Sequence, residues 1–173
     1  MRSPRTLRFT GASMLAVLLM VLLPAMVGVT GCGDSAVTAS SVAGGAVTEP
    51  QVEAFVAKAA DYVKAHGKVE ALKVFSDPKG EFRQGAQYIF AEDFSGNELA
   101  NGGQPEIVGQ NLMNATDPKG VKILEVLIAA ARQGSGWVSY TWNNPETGKE
   151  QAKRAYVIKV GDDWYVGSGM YVQ

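Results

Sequence analysis

The C-terminal stretch 137–172 constrains the fold most strongly. It contains three alternating apolar runs separated by two short clusters rich in Asn, Gly and Asp. In the first run Val138, Tyr140 and Trp142 recur at every second position, which places them on one face of a strand. Because Asn, Gly and Asp favour turns, the three runs predict an antiparallel meander of three strands.

Two adjacent basic residues, Lys153 and Arg154, lie inside the second run of this meander. A cation among aromatic side chains on a sheet has two interpretations. It either binds a small anion, or it lies on the solvent face while the aromatic side chains form ordinary core. The residues alone leave both open.

The first 31 residues read as a secretory signal. Three arginines precede an apolar run at 12–27, and small residues lead to Cys32, the only cysteine of the chain. The apolar run is short for a spanning helix, which needs about 20 residues. The arrangement resembles a lipobox, in which the cysteine becomes the lipidated first residue after cleavage. The alternative is an ordinary secretion signal followed by an unpaired cysteine.

Residues 32–49 are small and almost uncharged, which predicts a flexible tether between the lipid and a domain at 50–173. Removing the signal takes three arginines from a chain of formal charge −1 and leaves −4. This balance gives no electrostatic attraction to nucleic acid. We expect an extracytoplasmic protein held at the cell membrane by its lipid.

Two segments have helical periodicity. The stretch Glu49–Phe75 carries an apolar stripe at intervals of three and four, with a break expected at Gly67. Val121–Arg132 is the second, and Asp117 precedes it as the expected N-cap. Between them lies a hairpin at 87–100. The layout is α+β, with one antiparallel sheet of about five strands and the two helices packed on it.

The folded part resembles the single Cache domain, an extracytoplasmic relative of PAS-type sensor folds. The likeness covers roughly 50–172 and depends on several weak motifs in a specific order. They are FSDPKGEF at 75–82, YIFAEDFSG at 88–96, PEIVGQNL at 105–112, DPKG at 117–120, GWV at 136–138, YTWNNP at 140–145, TGK at 147–149, Lys153, Tyr156-Val157 and DWYVGSGMY at 163–171.

The resemblance implies a sensor module that binds a small organic molecule, often a short carboxylate. Signalling then passes to a chemoreceptor or histidine-kinase body. The sequence stops at Gln173 after no second apolar segment, so we expect a free-standing domain whose signal needs a partner protein. Relatives commonly have His-Pro where this chain has Asn101-Gly102, so an amide replaces a side chain that can become charged.

A pocket for a carboxylate needs a cation and several hydrogen-bond donors, because a buried unpaired charge is very costly. The resemblance favours Lys153 as the cation. The expected donors are Tyr140, Trp142, Tyr156 and Asn101, and the expected apolar wall is Tyr88 and Phe90. Lys153 and Tyr156 are an odd number apart, so either a bulge intervenes or one of them alone lines the pocket.

Other classes of function have less support. His66 is the only histidine and lacks a nucleophile or further metal ligands nearby in the sequence, and Glu92 and Asp93 point to opposite sides of a strand. We therefore expect no enzyme, no metal and no cofactor. The remaining alternative is an interaction or dimerisation module without a ligand, which a pocket filled by side chains would favour.

Overall fold

The computed structural model describes residues 46–172. The predicted signal peptide, Cys32 and most of the predicted tether lie outside the described residues. The described chain is an α+β fold with two helices and a five-stranded antiparallel sheet, as the sequence predicts.

Helix α1 spans Glu49–Phe75 and is interrupted at Gly67, whose φ of 78° lies in the left-handed region that favours glycine. The Thr48 backbone N–H donates to the Gln51 side chain at 2.9 Å, so a cap marks the start of the helix. Beyond Gly67 the helix changes phase. Val69, which continues the apolar stripe by sequence spacing, is therefore 86% exposed.

The strands follow in chain order. A small hairpin pairs β1 (Arg83–Gln84) with β2 (Gln87–Tyr88). The main sheet contains β3 (Phe90–Asp93), β4 (Glu98–Asn101), β5 (Ser135–Asn144), β6 (Lys149–Lys159) and β7 (Trp164–Tyr171), in the order β4-β3-β7-β6-β5. The predicted meander is thus β5-β6-β7, and β7 joins it to the first hairpin.

Helix α2 spans Ile123–Arg132, so it begins two residues later than predicted. Asp117 is not its N-cap. The Asp117 carboxylate instead accepts from the backbone N–H groups of Lys119 and Val121 and, across the loop, of Thr141, at 2.8–2.9 Å. Because a proline turn separates the two, Asp117 ties the loop before α2 to strand β5 rather than capping the helix.

The sheet has two buried faces. The face covered by α1, called the α1 face below, includes Ile89, Ala91, Ala100, Trp164 and Val166 against Val52, Val56, Phe75 and Phe82. The opposite face, called the α2 face, includes Tyr88, Phe90, Tyr140, Val157 and Tyr165 against Leu124, Leu127 and Ile128. The period of two along the strands sends neighbouring residues to opposite faces.

Candidate functional site

A small cavity of about 10 Å³ lies on the α2 face between the sheet and helix α2. That volume is room for about one water molecule. Its lining combines ionisable, aromatic and aliphatic side chains: Tyr88, Phe90, Glu92, Glu98, Asn101, Ile123, Leu124, Leu127, Tyr140, Trp142 and Lys153.

Lys153 is the cation of the cavity. It lies on β6 opposite Tyr140 of β5, and its side chain is 2% exposed. Its amine donates to the Tyr88 hydroxyl at 2.9 Å and lies 4.2 Å from the centroid of the Tyr88 ring and 5.1 Å from that of Phe90. Burial lowers the pKa of Lys153 from 10.5 to about 7, although the charges of Glu98 and Glu92 act in the opposite direction. The amine can therefore gain or lose its proton near neutral pH.

Two glutamates face each other across β3 and β4. Glu92 is 5% exposed and Glu98 is 1% exposed, and the two are paired in the strand register. Burial raises the pKa of both carboxyl groups, and the charge of Glu92 raises that of Glu98 further. Both effects favour the protonated form of a carboxyl group, so the pair binds a proton more readily than two exposed glutamates would.

A β-bulge in β4 brings these two glutamates together. Ala91 pairs with Ala100 and Glu92 pairs with Glu98, so Leu99 has no partner residue on β3. Ala100 faces α1, and a regular strand would direct Glu98 to the same side. The extra residue at Leu99 reverses that alternation, and Glu98 faces the cavity.

Asn101 holds the cavity wall together through hydrogen bonds to its neighbours. Its Nδ2 donates to Glu98 at 2.9 Å, and its Oδ1 accepts from the backbone N–H groups of Gly103 and Gln104 at 3.0 and 2.8 Å. The side chain thus holds the loop after β4 and one glutamate in place. The amide therefore makes its hydrogen bonds within the protein, and its oxygen is occupied by the loop.

Tyrosine hydroxyl groups surround the charged residues. The Tyr165 hydroxyl donates to Glu92, and the Ser168 hydroxyl donates to the Tyr88 backbone carbonyl at 2.7 Å. Burial raises the pKa of Tyr88, Tyr140 and Tyr165 well above 10, so all three remain neutral donors.

The structure brings six of the seven predicted ligand-binding residues to this cavity: Lys153, Tyr140, Trp142, Asn101, Phe90 and Tyr88. Tyr156 is the exception, and its prediction as a pocket donor is wrong. It lies three residues after Lys153 on a regular part of β6, so it points to the α1 face and packs on Trp137 with ring centroids 5.3 Å apart. The odd spacing between Lys153 and Tyr156 allowed either a bulge or a single residue in the pocket. The structure has the second arrangement, because Lys153 lines the pocket and Tyr156 does not.

Sequence reasoning missed Glu92, Glu98 and the aliphatic wall from α2. The sequence does indicate Glu92, because Tyr88, Phe90 and Glu92 lie at every second position and therefore share one face of a strand. Glu98 had no such signal, since its orientation depends on the bulge.

In residues 46–172 no group of three or more His, Cys, Asp or Glu side chains has the geometry of a metal site. No helix within the same range is long and apolar enough to cross a membrane.

The family model for Single Cache domain 2 matches residues 51–173, which is nearly the entire predicted domain. The chain belongs to this family. Cache domains are extracytoplasmic sensor domains of chemoreceptors and histidine kinases and are not themselves catalytic.

Two curated relatives are similar to about half of this chain. The sensor histidine kinase MctS of Rhizobium johnstonii is 36% identical over 86 residues, which cover 49% of this chain and 19% of the kinase. The methyl-accepting chemotaxis protein McpP of Pseudomonas putida is 30% identical over 87 residues, covering 49% of this chain and 16% of the receptor. This chain therefore matches less than a fifth of the length of either relative.

Solved structures confirm the fold. A methyl-accepting chemotaxis protein from Vibrio parahaemolyticus has a TM-score of 0.63 at 22% identity, over 72% of this chain and 88% of that one. A Cache chemosensory domain described for carboxylic acid recognition has a TM-score of 0.55 at 22% identity, over 70% and 86%.

Proposed function

We propose that this Cache domain binds a small organic ligand, a short carboxylate, in the cavity of the α2 face. We further propose that it is held at the outer side of the cell membrane by lipidated Cys32. It passes its signal to a separate histidine kinase or chemoreceptor.

The buried amine of Lys153 is the observation that carries the proposal. A lysine is almost never buried fully unless it has a partner. Here one of the three N–H groups of the amine donates to the Tyr88 hydroxyl. A ligand carboxylate would accept from the remaining donors and restore the pKa of Lys153 toward its ordinary value. The solved Cache domain that recognises carboxylic acids gives independent support for this ligand class.

A ligand needs more room than the closed cavity offers. A groove of about 220 Å³ lies next to it, and the two volumes share Ile123 and Trp142 as lining residues. Rotation of the Trp142 ring away from this wall would join them. The loop 102–122, which has a single 3₁₀ turn at Pro105–Ile107, covers the same side and is the segment that must move.

A thermal-shift screen of short carboxylates, with and without a second polar group, tests the binding proposal. At about 100-fold excess over Kd we expect a rise in Tm of about 5–10 °C. Lys153→Met removes the amine while retaining a long side chain, and it should abolish the shift. Lys64→Met removes an exposed amine from α1 and is the matched control. A shift that survives Lys153→Met would remove this residue from the site.

The anchoring proposal has its own test. In cells that process lipoproteins, the native chain should fractionate with membranes, and Cys32→Ser should release it to the soluble extracytoplasmic fraction. Retention of the Cys32→Ser variant in the membrane would contradict a lipid anchor at this residue.

The second candidate is a ligand-free interaction module, and the small volume of the closed cavity favours it. This alternative predicts no change in Tm with any carboxylate. It also predicts that Lys153→Met binds the same signalling partner as the native chain, because the amine would then serve no ligand.

A further inference from the structure

The cavity contains two acidic groups that binding of a simple carboxylate does not use. Glu92 and Glu98 are as deeply buried as Lys153 and line the same cavity. Because Glu98 reaches this face through the bulge at Leu99, the acidic pair is a built feature of the site.

The three buried ionisable groups of the site can balance one another. Burial and mutual repulsion favour one proton on the Glu92–Glu98 pair, and the negative charge that remains on the pair then compensates the Lys153 ammonium in the same cavity. The other titratable groups beside these charges are tyrosines that burial keeps neutral. Tyr88 and Tyr140 line the cavity, Tyr165 donates to Glu92, and the Tyr171 ring centroid lies 5.4 Å from the Lys153 amine. Any ligand must preserve this balance, because a net charge in such a cavity is costly.

Three classes of small ligand meet this condition in different ways. A plain carboxylate adds a negative charge, so the glutamate pair must take up a second proton. A plain amine adds a positive charge, so the pair must release its proton. A molecule with both groups adds no net charge, and it binds without any change in protonation.

We infer that the ligand of this site is a short amino acid in its zwitterionic form, with its carboxylate on Lys153 and its ammonium on Glu92 and Glu98. The inference rests on the proposed function and narrows it to one ligand class.

The hydrogen bonds of the site support this arrangement. Glu98 Oε1 accepts from Asn101, and Glu92 Oε2 accepts from Tyr165, so each carboxyl group is fixed by one oxygen. The other oxygen of each carboxyl group is the one that accepts from an ammonium in this arrangement. Trp142 completes the wall, and its ring face is a favourable neighbour for a cation.

Isothermal titration of the full chain in detergent tests the inference with three ligands of equal carbon number: propionate, alanine and n-propylamine. Both L-alanine and β-alanine are used, since they place the amino group at different distances from the carboxylate. Each titration is done at about pH 6, where Lys153 is charged, in two buffers of different ionisation enthalpy that report proton uptake or release.

We expect one of the two alanines to bind about 10- to 100-fold more tightly than propionate, as charge-assisted hydrogen bonds to an ammonium imply, with no net proton exchange. The double variant Glu92→Gln/Glu98→Gln leaves Lys153 as the single charge. It should reverse the order, so that propionate binds more tightly than either alanine. Glu70→Gln/Glu125→Gln removes two exposed carboxylates and should leave the order unchanged.

The remaining outcomes separate the two proposals. Tighter binding of propionate, with uptake of about one proton, would overturn the amino acid inference and leave the proposed carboxylate site intact. Tightest binding of n-propylamine, or no binding of any of these compounds, would overturn both. If the double glutamine variant does not fold, the proton counts on the native chain decide alone.

Discussion

The two faces of the central sheet are both buried, but they differ in what they bury. The α1 face is built from aliphatic and aromatic side chains that interlock, as in the edge-to-face contact of Phe75 and Phe82 at 4.8 Å. The α2 face buries Lys153, Glu92 and Glu98 beside a small cavity. Burial of apolar side chains stabilises the fold, whereas burial of ionisable groups opposes it. The α1 face therefore provides the stability that allows the α2 face to hold charged groups ready for a ligand.

Truncating the α1 core is the largest expected effect. Phe75 is fully buried, so Phe75→Ala should lower the free energy of unfolding by about 3–5 kcal/mol. Val69→Ala, on the exposed side of the same helix, should change it by less than about 0.5 kcal/mol. Guanidinium unfolding measures both. A loss below about 1 kcal/mol for Phe75→Ala would mean that the α1 face is not the main source of stability.

The pH dependence of stability should be specific to the α2 face. Lys153 has a pKa of about 7 when folded and about 10.5 when unfolded, so the unfolded chain binds more protons between these values. The free energy of unfolding therefore rises with pH across this window. Relative to Lys153→Met, the native chain should gain about 3 kcal/mol between about pH 7 and 9.5. Parallel curves for the two proteins would show that the amine is not buried as described.

Ligand affinity should also depend on the protonation of the Lys153 amine, but it should fall as the pH rises. A carboxylate needs the charged form of Lys153, so its affinity should fall about tenfold per pH unit above about 7. Titrations at several pH values between about 6 and 9 measure this slope. In Lys64→Met, which changes an exposed lysine, the slope should be unchanged.

Removing the bulge gives the smallest expected effect. Deleting Leu99 leaves Glu98 opposite Glu92 and Ala100 opposite Ala91, now in a regular ladder. The deletion removes a half-buried side chain from the α1 face, so it should cost about 1–2 kcal/mol of stability. Ligand affinity should stay within about threefold, since both glutamates keep their orientation. Loss of binding in a folded deletion variant would mean that the bulge itself shapes the cavity.

Much of this architecture follows from local patterns. Helix α1, its break at Gly67 and the β5-β6-β7 meander are all visible in the sequence, because apolar periodicity and turn residues act over a few positions. The patterns also identify the face that carries Tyr140 and Trp142. Contacts between residues that are distant in sequence are harder to predict. The exposure of Val69 depends on the kink at Gly67. The role of Asp117 depends on its hydrogen bond from Thr141, which is distant in sequence.

The site was predictable to a similar degree. Lys153 and its aromatic neighbours are suggested by composition, spacing and family resemblance together. Whether a particular residue lines the cavity with them depends on two things. The alternation of side chains along the strand directs Tyr156 to the opposite face, and the register between β3 and β4 directs Glu98 to the cavity. Register is set by pairing between strands and cannot be derived from one strand alone.

The unpaired residue in β4 has a consequence for how such a sensor can acquire new chemistry. The bulge accommodates one additional amino acid in a strand of four, so the residues on either side of Leu99 keep their partners on β3 and their orientation. The strand can thus change length by one residue at this position without changing which side chains line the cavity. Substitutions at Glu92 and Glu98, more than insertions or deletions at Leu99, are a direct route by which the domain could change the compounds it detects.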